Sequence, residues 1–207
     1  PTTGPTVTPT PTMGPPPAVI INEIDADTVG TDADEFIELY DGGVGNTDLS
    51  GTVVVLYNGS SDTSYDAIDL DGFSTNMSGY FVIGSASVPN VDLAAFTTNG
   101  LQNGADAVAF YQGNDTDFPS GTAVTATNLI DAIVYDTNDS DDTGLLSVLL
   151  NPGEPQVNEA ANGTADVESI GRCPNGSGGA MNTTAYTTGN PSPGADNDCT
   201  SGPTPTP

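Results

Sequence analysis

A chain of 207 residues, 35% of them hydrophobic, is long enough for one core with short extensions. It carries 28 acidic residues against a single basic one, Arg172, with no Lys and no His, for a net charge of -27. That balance tells against nucleic acid or an anionic membrane as a direct partner, since both are held by Lys and Arg, and it removes His-based triads, Schiff-base lysines and His-ligated metals.

The chain opens with a Thr/Pro-rich segment, residues 1–17, that buries no apolar surface and favours an extended form. "AVIINEID" (18–25) then reads as a strand rich in β-branched residues. "EFIELYD" (35–41) alternates, with Phe36, Glu38 and Tyr40 on one side and Ile37 and Leu39 on the other. "TVVVLYNG" (52–59) is more continuously apolar and suits a central strand. "YDAIDLDG" (65–72), "GYFVIGS" (79–85), "ADAVAFYQG" (105–113) and "NLIDAIVYD" (128–136) follow, with "VESIGR" (167–172) as a further candidate. Gly, Asn, Asp and Ser fill the connections as turn formers. "TGLLSVLLNPG" (143–153) has a helical look but is short and stops at Asn151-Pro152. Many short strands with frequent turns indicate an all-β antiparallel sandwich over residues 18–200, followed by a second Thr/Pro segment at 201–207. No apolar run reaches transmembrane length, so no membrane insertion is expected.

The order of several motifs resembles the bacterial lamin-tail domain family. "VIINEIDADTVGTDADEFIELYD" has an apolar strand ending in Asn-Glu-Ile, an acidic loop, then Glu-Phe-Ile-Glu-Leu. "DLSGTVVVLYNG", "GYFVIG", "LQNGADAVAFY", "LIDAIVYD" and a closing "SIGRCPNGSGGAMNTTAYTTGNPSPGADNDC" follow in the family order. The resemblance implies an immunoglobulin-like sandwich and no reaction. Such domains are non-catalytic modules of secreted bacterial proteins, sometimes beside nuclease or phosphatase domains, and also occur in nuclear lamins. Thr52 stands where the family has Trp after Ser-Gly, which implies an altered surface there.

The candidate sites are few. Carboxylate pairs can hydrolyse glycosides, but with no Trp, 7 Tyr and 6 Phe the chain has little to build a sugar platform from, so no catalytic residues are expected. The acidic loop "DADTVGTDADE" offers Asp25, Asp27, Asp32 and Asp34 to calcium. It is not an EF-hand, because Val29 and Phe36 fall where oxygen ligands belong. "DTNDSDDTG" (136–144) is a second acidic cluster, with Asp141 in the slot an EF-hand gives to Gly. Cys173 and Cys199 read as one disulfide, with two buried thiols as the alternative. Arg172, at a strand end beside Cys173, is expected to pair structurally with Glu23 or Glu38. Sequons stand at Asn58, Asn76, Asn114, Asn138, Asn162, Asn175 and Asn182. Thr6, Thr8, Thr10, Thr12, Thr204 and Thr206 are candidates for O-glycosylation, as in sugar-bearing stalks.

The tails have a further property. Pro5, Pro9 and Pro11 fall on odd positions and the threonines from Thr6 to Thr12 on even ones. As an extended strand, one edge donates hydrogen bonds while proline blocks the other. Such a segment suits addition to a neighbouring molecule, and repetition without closure gives a filament. The end "PTPTP" could equally continue into another "PTTGPT", giving a tandem array. Two function classes follow: an extracellular or cell-surface structural subunit that self-associates into a filament or forms a tandem array, or an accessory tethering module of a larger secreted hydrolase.

Overall fold

The computed structural model describes residues 15–16 and 18–199. The threonines proposed for O-glycosylation, and with them the tail parity, lie outside the described residues. Two sheets face each other. One has six strands in the order β11-β10-β1-β2-β5-β6, the other five in the order β4-β3-β7-β8-β9. Their ranges are β1 Ile20–Asp25, β2 Phe36–Tyr40, β3 Thr52–Asn58, β4 Thr63–Asp69, β5 Tyr80–Ser85, β6 Leu93–Phe96, β7 Asp106–Gln112, β8 Leu129–Asp136, β9 Val157–Asn158, β10 Ser169–Arg172 and β11 Tyr186–Gly189. All-β is the right class, but the sheets are not purely antiparallel, because the edge strands β6 and β9 pair parallel to β5 and β8.

Period-2 alternation builds the core. Ile21 and Ile24 of β1 and Ile37 and Leu39 of β2 point between the sheets, meeting Val54, Leu56, Phe110, Ile133 and Tyr135 from the other side. A bulge between Ile21 and Glu23 lets both isoleucines face inward although three positions separate them. The five-stranded sheet is buried on its outer face as well. Val53, Val55, Tyr57, Ala109 and Val134 pack there under Leu145 and Leu149 of helix α1 (Thr143–Leu149). This second layer is why "TVVVLYN" reads as an unbroken apolar run. The helix begins at Asp142, whose carboxylate accepts from the Leu145 N–H at 2.8 Å.

Register fixes where the chain ends of this body lie. Strand β10 runs antiparallel to β1, with Ile24 opposite Ile170 and Glu23 opposite Gly171. Arg172 and Cys173 therefore return to the start of β1. The Cys173–Cys199 disulfide ties residue 199 to that same end. Ala18 and Cys199, the two ends of the continuous body, thus share one pole, and Asp25 marks the opposite one.

Candidate functional site

Arg172 organises the pole where the body's ends meet. It shares a face with Ile170, two residues earlier, so it points between the sheets instead of outward. It is wholly buried. There it forms an ion pair with Asp131 of β8, at 3.0 Å. Its Nε donates to the Ile21 carbonyl at 2.7 Å, and its Nη1 to the carbonyls of Ser177, Gly179 and Asn182. The guanidinium lies 4.6 Å from the Tyr186 ring centre. Asp131 also accepts from the N–H groups of Ile21, Ala132 and Met181. Burial pushes its carboxyl up, while Arg172 and these N–H groups pull the other way. One pair thus joins β1, β8, β10 and the 177–182 loop.

This corrects the expected partners of Arg172. Glu23 and Glu38 sit opposite each other across β1 and β2, but on the outer face. They hold a strap, residues 190–198, that crosses that face. Glu23 accepts from the Ser192 N–H and hydroxyl, both at 2.9 Å, and Glu38 accepts from the Gly194 N–H at 2.6 Å. Gly171 leaves room for the strap: a Cβ there would lie 2.7 Å from Asn197 Nδ2, which donates to the Asn22 and Arg172 carbonyls and would have to shift. Burial pushes the Glu38 carboxyl up to about 8, against a hydrogen bond from Asn22.

The disulfide pins the end of this strap. Replacing both Cys173 and Cys199 by Ser is expected to lower stability by roughly 3 kcal/mol on the chain-entropy model. Urea unfolding with and without reductant checks this; equal midpoints would show that the glutamates alone hold the strap.

The acidic loop does not assemble as a calcium site. Asp32 accepts from the Thr28 N–H and the Asn103 amide, and Asp34 from the Ser87 hydroxyl. Asp25 is buried at the end of β1, while Asp27 is half-buried. Asp32 and Asp34 are thus committed to separate donors. Among the described residues no group of three or more acidic side chains is set to hold a metal ion. The second acidic cluster likewise serves local structure: Asp136 accepts from the N–H groups of Asn138 and Asp139 and from Gln156, and Asp142 caps α1.

Sequence reasoning missed a set of buried carboxyls with incomplete hydrogen bonding. Asp25, Glu159 and Glu168 are each buried and each has one oxygen with no hydrogen-bond partner. Burial, then Glu159 and other acids nearby, hold the Asp25 carboxyl well above the usual range; burial does the same for Glu159. Glu35, which accepts from the Gly100 and Leu101 N–H groups, is pushed up to about 7, chiefly by burial. No cation stands by them, because Arg172 is committed to Asp131.

Beside Asp25 lies an open groove of about 460 Å³. Its walls come from the 25–36 loop, from Val88 and Pro89, from Val167, and from Pro191 and Pro193 of the strap. Val29 and Val167 are 70% and 47% exposed at its rim, two of the few large apolar side chains left in solvent among the described residues.

The sequons divide by accessibility. Asn76, Asn114 and Asn138 are exposed. The amide nitrogen of exposed Asn162 donates to Glu168. Asn58, Asn175 and Asn182 are half-buried, and the amides of Asn58 and Asn175 are engaged with Gln102 and with Tyr80 and Asp196.

Comparison with protein-family models, with curated proteins and with solved structures returns no match. The site therefore rests on its own geometry. Among the described residues no helix is long and apolar enough to cross a membrane.

Proposed function

We propose that the chain is a non-catalytic extracellular structural protein, the repeating subunit of a surface fibre joined through its Thr/Pro-rich tails. The observation that carries this reading is the shared pole of Ala18 and Cys199, locked by Arg172, Asp131 and the disulfide. Load entering through either tail meets a central strand: β1 directly, or β10 through Cys173. At that point Asp131, Arg172 and Tyr186 grip both backbone groups of Ile21. The body is read as an immunoglobulin-like sandwich of the lamin-tail kind, which the two facing sheets and the Asn22-Glu23-Ile24 strand support. The disulfide supports an oxidising, extracellular setting.

Charge supports the same division of labour. Bodies carrying the whole net charge of -27 repel each other. Residues 1–17 and 200–207 contain no charged side chain and can span that repulsion. Electron microscopy of the purified full chain at physiological salt is expected to show fibres with a regular subunit repeat. Discrete monomers alone would sink the proposal and favour the tethering module.

A further inference from the structure

We propose that the groove at the Asp25 pole is the receptor for residues 1–17 of a second copy of this chain. The inference rests on the fibre reading above and specifies the joint. Four observations lead to it.

The first is polarity. The body resumes at Ala18 on one pole, and the groove lies at the other, beside Asp25. A segment rooted at one end and a receptor at the opposite end form a heterologous contact, which repeats without closing into a filament. The second is chemistry. The groove is mainly apolar, walled by Val88, Pro89, Pro191 and Pro193 with Val29 and Val167 at the rim. It matches a ligand of proline rings and threonine methyls, the recognition mode of extended proline-rich segments.

The third is charge. Asp25, Asp34 and Asp166 also line the groove. Another acidic body would be repelled there, whereas residues 1–17 bring no charge. The fourth is reach. At about 3.1 Å per residue, 17 residues extend roughly 50 Å, well over the length of a strand of this body. Three consecutive prolines, Pro15 to Pro17, precede Ala18, a composition that acts as a semi-rigid spacer.

The test uses two full-length variants and sedimentation. The groove variant is Val29→Asp/Val167→Asp; both side chains are exposed, so its melting temperature should match the parent within a few degrees. The tail variant is Thr8→Asp/Thr10→Asp, which adds charge to the segment. Each alone is expected to lose fibres and sediment as monomers. Mixed, they are expected to form discrete one-to-one pairs, because an intact tail meets an intact groove once and growth then stops. If the groove variant still makes fibres while the tail variant does not, the groove assignment falls and the tail-joined fibre stands. If the tail variant makes fibres, both fall. Monomeric variants that do not pair on mixing would overturn the tail-to-groove joint. A parent chain that is itself monomeric, its segment seated in its own groove or nowhere, would overturn the second-copy partner and the fibre together.

Discussion

Replacing Arg172 by Met is expected to lower the stability of the folded chain by about 3–5 kcal/mol, because it leaves Asp131 buried and uncompensated. For a body of this size that corresponds to a fall in melting temperature of roughly 10 °C or more. Asp131→Leu should come close to this effect, since it strands the buried guanidinium. The informative comparison is the double variant Arg172→Met/Asp131→Leu. Removing both charges together removes the penalty, so the double variant should be more stable than either single one. Denaturant unfolding of the four chains measures the coupling. Additive losses, or an Arg172→Met chain as stable as the parent, would mean that Arg172 does not lock the pole. A loss confined to fibre strength, with unchanged monomer stability, would also refute the packing argument.

The partner of Arg172 was within reach of the sequence. Ile170 and Arg172 are two apart on one strand, as are Asp131, Ile133 and Tyr135 on another. An acid in phase with inward Ile and Tyr needs a buried partner, and the chain has one cation to offer. Phase alone would therefore have favoured Asp131 over Glu38, which is out of phase with Ile37 and Leu39. Glu23 was harder to place, because the bulge after Ile21 breaks the alternation of β1. The long strands were legible for the same reason: β2, β3, β7 and β8 carry patterns that one buried face or two impose. The edge strands β6, β9 and β11 were not. "LAAF", "VN" and "YTTG" have no distinctive pattern and exist because a neighbouring strand offers hydrogen bonds. The groove was invisible too, since its walls come from four stretches spread over residues 25–193 and only the register brings them to one pole. The acidic loop misled because spacing reports which carboxylates are near in sequence, whereas the fold commits Asp32 and Asp34 to donors of their own.

Stability is expected to be highest in mild acid and to fall steadily as pH rises towards 9. Burial raises Glu35 to about 7 and Glu38 to about 8 in the fold, from 4.5 when unfolded. Between its two values each group holds a proton in the folded chain that the unfolded chain has released. Stability then declines with pH, by about 1.4 kcal/mol per pH unit for each such group. The contribution is complete below the unfolded value and lost as pH passes about 7 for Glu35 and about 8 for Glu38. Asp25 and Glu159 act in the same direction. The acid limb is set by groups of the opposite kind. Asp41 is buried, but hydrogen bonds from Thr47, Thr75, Gly45 and Val44 outweigh that and hold its carboxyl below the usual range. Its contribution is lost as pH falls through that depressed value. Urea unfolding at pH 5, 7 and 9 gives the slope, and Glu38→Gln should flatten it whatever it does to stability at one pH. The part of the loss due to Glu38 should appear under the strap, where ionised Glu38 faces Glu23 across the strands and the Ser192 and Gly194 amides rest on the pair. Those amides should lose protection from hydrogen exchange, relative to their intrinsic rates, at a lower pH than the core of β3 and β7. Stability that is flat or rising from pH 5 to 8 would show these carboxyls to be ionised inside the fold, with a counter-charge or water beside them that burial in this arrangement does not provide.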